Sequence, residues 1–139
     1  REMNRTPVEE LLMEYGIHPT AQRCGATAYL LEPDCHPTAE EVMLAVKDRL
    51  PCSLSRATVY NTLKLLVDKG LLQELSTEPG QIRYDANTGP HHHFVDRESG
   101  RIYDLEVDSE GISLRTDFKL PEEYNADYFR ITFYGKVES

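Results

Sequence analysis

Apolar side chains in the first part of the chain recur with the period of an amphipathic helix. A first helix is predicted by apolar positions at i, i+3, i+4 and i+7 before a glycine stop, formed by Val8, Leu11, Leu12, Tyr15 and Gly16. Thr20 can cap a second helix that runs through Leu31 and stops before Pro33. Both predictions follow from local chemistry, because a hydroxyl accepts from unpaired N–H groups and proline cannot continue a helix.

Two further helices are predicted, each opened by a hydroxyl residue. Thr38 with Glu41 three residues later forms a capping-box pattern, which predicts a third helix to about Leu50. After a break at residues 51–54, Ser55 can cap a fourth helix that ends at Gly70. The apolar stripe of the fourth helix consists of Val59, Leu63, Leu66 and Val67.

A hairpin follows the four helices. Residues 71–75 and 81–85 are predicted strands, joined by a turn that contains Pro79 and Gly80. Helices followed by such a hairpin are typical of a winged helix-turn-helix, with the third and fourth helices as the helix-turn-helix and the hairpin as the wing. Winged helices also mediate protein–protein contacts, so this fold alone does not settle function.

The fourth helix carries polar side chains opposite its apolar stripe. Arg56, Tyr60 and Lys64 lie at i, i+4 and i+8, with Asn61 beside them. An arginine, an amide and an aromatic ring that can contact a thymine methyl group are suited to reading a major groove. The alternative is an ordinary solvated helix face, but the pattern favours DNA binding.

Histidines dominate the start of the second half. His91 and His93 are two residues apart, so in a strand they share one face. A turn at residues 97–100 ending in Gly100 returns a second strand, which can bring Asp104 beside them. Two imidazoles and a carboxylate on one face are good ligands for a divalent metal. A solvated, His-rich edge strand remains the alternative at this point.

The rest of the second half contains little regular structure. Residues 106–117 can form at most one short helix, weakened by Gly111. Residues 128–134 form a predicted strand whose apolar face consists of Phe129, Ile131 and Phe133. Three strands and one short helix are marginal alone and leave an apolar face to cover. A second copy of the chain can cover it, so we expect a homodimer.

Composition limits the remaining possibilities. The 139 residues contain no run of the ~18 apolar residues that would span a membrane, and the first residues form no apolar leader. Three cysteines, Cys24, Cys35 and Cys52, form no C-x-x-C pair, so a cytoplasmic location is expected. The net charge of −9 disfavours nucleic acid, yet the fourth helix is a basic island on an acidic body.

Several motifs occur in an order that resembles the ferric uptake regulator family, and within it the peroxide regulators most. The resemblance runs from about Val8 to Gly135. The motifs are Pro19-Thr-Ala-Gln-Arg23, His36-Pro-Thr-Ala-Glu-Glu41, Ser55-Arg-Ala-Thr-Val-Tyr-Asn-Thr-Leu63, Gly70-Leu-Leu, Arg83-Tyr-Asp85 and His91-His92-His93.

The resemblance implies a dimeric, metal-dependent repressor that binds A·T-rich palindromic operator DNA. It implies an α+β chain, with an N-terminal winged helix-turn-helix in residues 1–85, a hinge at 86–90 and a small α/β dimerisation domain in 91–139. The expected DNA-contacting residues are Arg56, Thr58, Tyr60, Asn61, Lys64 and His18, the last at a position where family members can place a basic residue in the minor groove.

The resemblance also implies a regulatory metal site that holds Fe(II) or Mn(II), with Zn(II) as a possible substitute. Its ligands in this sequence are His36, Asp85, His91, His93 and Asp104. Members that regulate iron uptake usually have glutamate at the last position, whereas peroxide sensors have aspartate. Asp104 therefore favours peroxide sensing, in which bound Fe(II) promotes oxidation of a ligand histidine, here His36 or His91. Regulation of iron or zinc homeostasis is the alternative within the family.

The residues support the same site independently of the resemblance. His36 lies in the predicted DNA-binding half, Asp85 at its end and the other three ligands beyond the hinge. One ion held by all five would fix the angle between the halves, which is how a metal could control DNA binding. A non-haem iron enzyme uses similar ligands, but no substrate cavity is suggested by the sequence. A metal buffer or a protein-binding winged helix is a third alternative.

The sequence departs from the family pattern at its cysteines. Most members carry two C-x-x-C pairs that hold a structural zinc, and here Asp96, Ser99 and Val137 occupy the corresponding positions. We therefore expect no structural zinc, and expect packing through Phe94, Phe129, Ile131 and Phe133 to hold the second half instead. Cys35 adjoins His36, but a buried free thiol is the favoured interpretation.

Overall fold

The computed structural model describes residues 4–50, 54–77, 80–89, 91–105, 120–126 and 129–138. The chain divides into two compact units, Arg1–Thr88 and Gly89–Ser139. The first contains four helices, α1 (Pro7–Glu14), α2 (Ala21–Leu30), α3 (Ala39–Lys47) and α4 (Arg56–Asp68), then strands β1 (Gln73–Thr77) and β2 (Gln81–Asp85). The second contains strands β3 (His92–Asp96), β4 (Ile102–Leu105) and β5 (Thr132–Gly135).

Each helix begins where a hydroxyl side chain can cap it. Thr20, Thr38 and Ser55 accept hydrogen bonds from backbone N–H groups three residues later in α2, α3 and α4. Thr6, which the sequence analysis did not single out, forms a full capping box with Glu9 in α1. Such caps typically contribute ~1 kcal/mol each, so these short helices are well specified at their starts. α2 ends at Leu30, one residue earlier than expected, and α3 ends at Lys47, about three residues earlier.

One apolar core lies within the first unit. Its most buried side chains come from all four helices, and they include Leu12, Leu30, Val42, Val46, Leu63 and Leu66. The predicted strand at residues 71–75 is displaced, because Leu71 and Leu72 pack into this core while the ladder begins at Gln73. β1 and β2 pair antiparallel, with Gln73 opposite Asp85 and Thr77 opposite Gln81.

The second unit has a three-stranded sheet with β3 in the centre. β4 pairs antiparallel with β3, and β5 pairs parallel with β3 on its other side. Gly100 adopts a φ of +76° at the end of the tight turn from β3 to β4. Gly135 lies against the Phe94 ring, where a Cβ would come within 3.2 Å of Cζ.

Two expectations for the second unit differ from the structure. β5 spans Thr132–Gly135 rather than residues 128–134, and Phe129 and Phe133 are 51% and 41% exposed instead of packed inside the unit. Among the described residues of this unit, the buried apolar side chains are those of Val95 and Ile102. The helix predicted within residues 106–117 lies outside the described residues.

Candidate metal ligands and nucleic-acid interface

The first unit contributes a buried histidine–carboxylate pair. His36 precedes the Pro37–Thr38 segment that opens α3, and Asp85 is the last residue of β2. Their side chains meet with His36 Nε2 and Asp85 Oδ2 3.5 Å apart, and the residues are only 6% and 3% exposed. Burying a carboxylate is costly unless it has strong polar partners, so this pair is a specific arrangement rather than a solvated surface.

Hydrogen bonds from the wing hold this pair in place. Arg83 Nη1 donates to the His36 carbonyl oxygen at 2.8 Å, and the Tyr84 N–H donates to the Pro37 carbonyl oxygen at 2.9 Å. The Asn87 N–H donates to Asp85 Oδ1 at 2.9 Å, which leaves Oδ2 directed at His36. Arg83 was identified from the sequence only as part of a motif. Its hydrogen bond to His36 was not predicted, since no local pattern reveals a contact between residues 47 positions apart.

The second unit brings together the two alternating histidines and the following carboxylate. Asp104 lies directly opposite His93 in the ladder between β3 and β4. Asp104 Oδ1 is 3.2 Å from His91 Nε2 and 3.3 Å from His93 Nε2, and the two rings meet edge to face with centroids 4.4 Å apart. Both histidines are buried, at 5% and 3% exposure. Period-2 alternation and a tight turn thus account for this cluster.

The donor sets suit a divalent metal ion. His91 Nδ1 lies 2.7 Å from the Gly89 carbonyl oxygen, which orients the ring so that Nε2 faces Asp104. Neighbouring ligands of an ion with bonds near 2.1 Å lie about 3.0 Å apart, close to the separations found within each unit. In each unit, imidazole and carboxylate donors without thiolate favour Fe(II), Mn(II) or Zn(II).

His92 points away from this cluster and supports the sheet instead. Its Nδ1 accepts a hydrogen bond from the Ile131 N–H at 2.9 Å, and its ring lies 5.7 Å from that of Phe129. His93 in turn donates its backbone N–H to the Ile131 carbonyl oxygen at 3.1 Å. The strand that carries the histidines is therefore tied to the segment before β5. Sequence reasoning gave no signal for this contact.

The exposed face of α4 carries the predicted basic and aromatic residues, but they contact carboxylates. The Arg56 Nη1 group and the Tyr60 hydroxyl both donate to Glu40 Oε1 of α3, the second over 3.2 Å. Lys64 Nζ forms an ion pair with Asp68 Oδ2 at 3.0 Å. All three predicted side chains remain exposed to solvent. A DNA backbone would meet cations that already have anionic partners.

The other predicted DNA contacts are in different situations. Asn61 is exposed on α4. Thr58 is half-buried, and its hydroxyl lies 2.8 Å from that of the capping residue Ser55, so it takes part in the helix cap. His18 is exposed just before α2, and its carbonyl oxygen accepts from Arg23 Nη1 at 2.7 Å.

A comparison with protein families decides the identity of this arrangement. The model of the ferric uptake regulator family matches residues 14–130. The chain belongs to the ferric uptake regulator family. The resemblance read from the motifs is thereby confirmed, and so is the predicted α+β fold of a winged helix followed by a small second domain.

Individual relatives agree with the family assignment. The peroxide-responsive repressor PerR of Staphylococcus aureus (strain Mu50) is 36% identical over 95 residues, which are 68% of this chain and 64% of that protein. The matched segment thus spans slightly less than two thirds of this relative. A zinc-bound manganese uptake regulator has a TM-score of 0.73 at 26% identity, covering 96% of this chain and 100% of that one. The Vibrio cholerae ferric uptake regulator shares the fold, with a TM-score of 0.69 at 21% identity and coverage of 93% and 98%.

Hydrogen bonds to the Asp96 carboxylate close the turn from β3 to β4. Asp96 and Ser99, the positions at which the sequence departs from the C-x-x-C pattern, contact each other, since Ser99 Oγ donates to Asp96 Oδ2 at 2.9 Å. The Glu98 N–H donates to Asp96 Oδ1 at 3.0 Å. These two hydrogen bonds, that from Ser99 first, lower the pKa of the Asp96 carboxyl below its ordinary value of 3.8. A charged carboxylate thus closes this turn.

The Cys35 thiol has a raised pKa. Burial, followed by the nearby charge of Glu32, raises the pKa of the Cys35 thiol to about 11. The thiol is therefore protonated at neutral pH, which agrees with a structural cysteine rather than a thiolate ligand.

Within the part of the chain that the structure describes, no helix has the length and apolar character needed to cross a membrane.

Proposed function

We propose that this chain is a metal-dependent transcriptional regulator that binds operator DNA as a homodimer. The observation that carries the proposal is a cluster of candidate metal donors in each unit, His36 with Asp85 in one and His91, His93 and Asp104 in the other, all of them buried except the partly exposed Asp104. The first unit also carries the winged helix with its exposed polar face on α4.

The proposed coupling follows from which unit supplies each ligand. An ion bound by donors from both units would stabilise one arrangement of the units relative to all others. Removing the ion would release that constraint and lower the population of the arrangement that fits DNA. Such couplings are typically ~1–3 kcal/mol, or roughly 5- to 150-fold in affinity. This range is large enough to separate repressed from unrepressed states.

The proposed homodimer rests on the exposed aromatic side chains of the second unit. Phe129 and Phe133 are half-exposed in the single chain. Aromatic side chains are enriched in protein interfaces and contribute much of their binding energy, so a second copy that covered these two rings would gain stability. A two-fold dimer would present two copies of α4 to two half-sites, which is why we propose A·T-rich palindromic DNA as the operator.

We further propose Fe(II) or Mn(II) as the regulatory ion, and peroxide as the signal. Asp104 and the 36% identity to a peroxide-responsive repressor favour this form of sensing over iron or zinc homeostasis. Bound Fe(II) would supply the redox chemistry by which peroxide transfers one oxygen atom to an imidazole and departs as water. His36 and His91 are the proposed targets, whereas Mn(II) would bind without promoting this reaction.

The alternative from another class, a non-haem iron enzyme, has weaker support. Relatives in the family are named as regulators and repressors. An ion with all five proposed ligands would have little room for a substrate beside a reactive oxygen species.

Fluorescence anisotropy with a labelled A·T-rich palindromic duplex tests the proposal. Purified protein is titrated in chelator, in Mn(II), and in Fe(II) before and after peroxide, at fixed salt. We expect binding only with metal, and loss of binding after peroxide in the Fe(II) sample alone. Peptide mass spectrometry should then find one added oxygen atom in the peptide of His36 or His91.

His93→Ala provides the matched variant, because it removes one donor from the second unit and leaves α4 intact. We expect it to lose the metal dependence while its circular dichroism spectrum stays like that of the wild type. Metal-dependent binding without any peroxide effect would assign the chain to metal homeostasis. Absence of metal-dependent binding to a pool of random duplexes would contradict the regulator proposal itself.

A further inference from the structure

Glu40 joins α3 to the DNA-facing side of α4. Its carboxylate oxygen Oε1 accepts hydrogen bonds from Arg56 Nη1 and from the Tyr60 hydroxyl, residues that are 16 and 20 positions away in the sequence. One carboxylate therefore contacts two of the side chains that lie one helical turn apart on α4. The sequence analysis assigned no role to Glu40.

This contact changes the charge that α4 offers to DNA. The basic side chains on its exposed face are Arg56 and Lys64, and each has a carboxylate partner, Glu40 and Asp68 respectively. The partner of Lys64 is Asp68, four residues later on the same helix, where an exposed ion pair is weak. Glu40 instead comes from another helix and accepts hydrogen bonds from both Arg56 and Tyr60, so DNA must displace it from Arg56 before a phosphate can take its place.

We propose that Glu40 is a specificity-determining residue, which lowers the affinity of α4 for DNA of arbitrary sequence and orients Arg56 and Tyr60 for contacts with bases. The inference rests on the proposed DNA-binding function and deepens it.

The expected difference between arbitrary and operator DNA follows from the contacts that replace Glu40 on Arg56 in each case. A phosphate in arbitrary DNA offers Arg56 one anion in exchange for another, while the Glu40 carboxylate is repelled by neighbouring phosphates. The correct bases offer hydrogen bonds and apolar contacts that an exchange of anions does not provide. Holding one nitrogen of the Arg56 fork and the Tyr60 hydroxyl also limits the rotamers available to both side chains. Glu40 should therefore weaken arbitrary binding more than operator binding.

The test compares Glu40→Gln with Glu32→Gln. Both variants remove one negative charge, and both break an ion pair between side chains of similar exposure, Arg56–Glu40 or Arg49–Glu32. Only the first involves α4. The cap of α3 remains in Glu40→Gln, because Thr38 accepts from the Glu41 N–H and contacts its carboxylate. Thermal melting of both variants verifies that each is folded.

Each protein is loaded with Mn(II) and titrated against two labelled duplexes of equal length. One is a palindrome selected by the wild type from a random pool, and the other has a scrambled sequence of the same composition. We expect Glu40→Gln to bind the scrambled duplex roughly two- to fivefold more tightly than Glu32→Gln does. We expect the ratio of affinities for the two duplexes to fall, and the salt slope on scrambled DNA to steepen by about 0.9 for each Arg56, or about 1.8 for the homodimer.

The outcomes separate the inference from the proposed function. If the wild type selects no duplex with metal present, the regulator proposal fails and the inference fails with it. If the wild type selects a palindrome but Glu40→Gln keeps the affinity ratio and the salt slope of Glu32→Gln, the inference alone is overturned. An affinity of Glu40→Gln that exceeds that of Glu32→Gln by the same factor on both duplexes would also overturn the inference, because Glu40 would then act only as a general repulsive charge.

Discussion

Arg83 donates a hydrogen bond from Nη1 to the backbone carbonyl oxygen of His36 over 2.8 Å. The same nitrogen lies 3.3 Å from Glu41 Oε1 in α3, and the Arg83 side chain is largely buried. One guanidinium on the second wing strand thus holds the segment that carries a proposed metal ligand. Asp85 follows two residues later on that strand, so both donors of the first unit depend on the wing.

Arg83→Lys should weaken metal binding without unfolding the winged helix. Arg83 bonds His36 and Glu41 through Nη1 and Gln81 through Nη2, a spread of donors that a single ammonium group cannot reproduce. Loss of residues that orient metal ligands typically lowers affinity about 10- to 100-fold. The measurement is Mn(II) binding by electron paramagnetic resonance, with Arg49→Lys as a control at the exposed Arg49–Glu32 pair. Wild-type Mn(II) affinity in Arg83→Lys would contradict the assigned role.

Cys35 should react slowly with alkylating reagents at neutral pH. Its pKa of about 11, against an ordinary value of 9.0, lowers the thiolate fraction at pH 8 about 100-fold. Peptide-resolved mass spectrometry after iodoacetamide treatment should show a rate that climbs with pH up to about 11. The same chain unfolded in urea is the control, since Cys35 should then react like a free thiol. Fast labelling in the folded protein at pH 7 would count against a buried, protonated thiol.

Asp96 should make the second unit sensitive to acid. Its folded pKa lies below the ordinary value of 3.8, so the ionised form is stabilised by folding. That contribution is complete above pH 3.8 and is lost as the pH falls through the lowered folded pKa. Asp96→Asn should therefore reduce urea resistance at pH 7, and the difference from the wild type should shrink below pH 3.8. Carbon-detected NMR of the Asp96 carboxyl gives the direct check, and a midpoint at or above 3.8 would refute it.

Phe133→Lys should weaken the proposed homodimer. The side chain is 41% exposed in the single chain, and truncating an aromatic interface anchor commonly costs ~2 kcal/mol, or roughly 30-fold in dissociation constant. Sedimentation equilibrium provides the measurement. Leu44→Lys on α3 is a suitable control, because that leucine is 63% exposed and lies in the first unit. Equal dimerisation of both variants would remove Phe133 from the interface.

Elements with local signals were well predicted from the sequence. Thr20, Thr38 and Ser55 mark the starts of α2, α3 and α4 because capping is a contact between residues three apart. The meeting of His93 and Asp104 was predictable for the same reason, since a tight turn fixes the register of the strands it joins. Each of these contacts needs only the neighbouring residues and the period of the element.

Contacts between distant segments were not predictable in this way. Leu71 and Leu72 have the composition of a strand, yet the core of the first unit takes them before the ladder begins. The hydrogen bond from the Ile131 N–H to His92 forms beside the parallel pairing of β5 with β3. No short turn joins these two segments, so the sequence carries no local signal for the contact. Glu40 is likewise an ordinary first-turn acid of α3 until the packing of α3 on α4 brings it to Arg56. Long-range packing decides all three cases.

The parallel pairing of β5 with β3 has a consequence for how the protein is made. His92 and Ile131 are 39 residues apart, so the sheet that carries the histidines can close only after the later segment has been synthesised. Translation at about 5–20 residues per second gives a delay of roughly 2–8 s after His92 is added. The first unit, which ends at Thr88, can fold during that interval. A nascent chain would therefore present the proposed DNA-binding face of α4 before the donor set of the second unit had formed. A ribosome stalled within this stretch would display that face without the proposed control by metal.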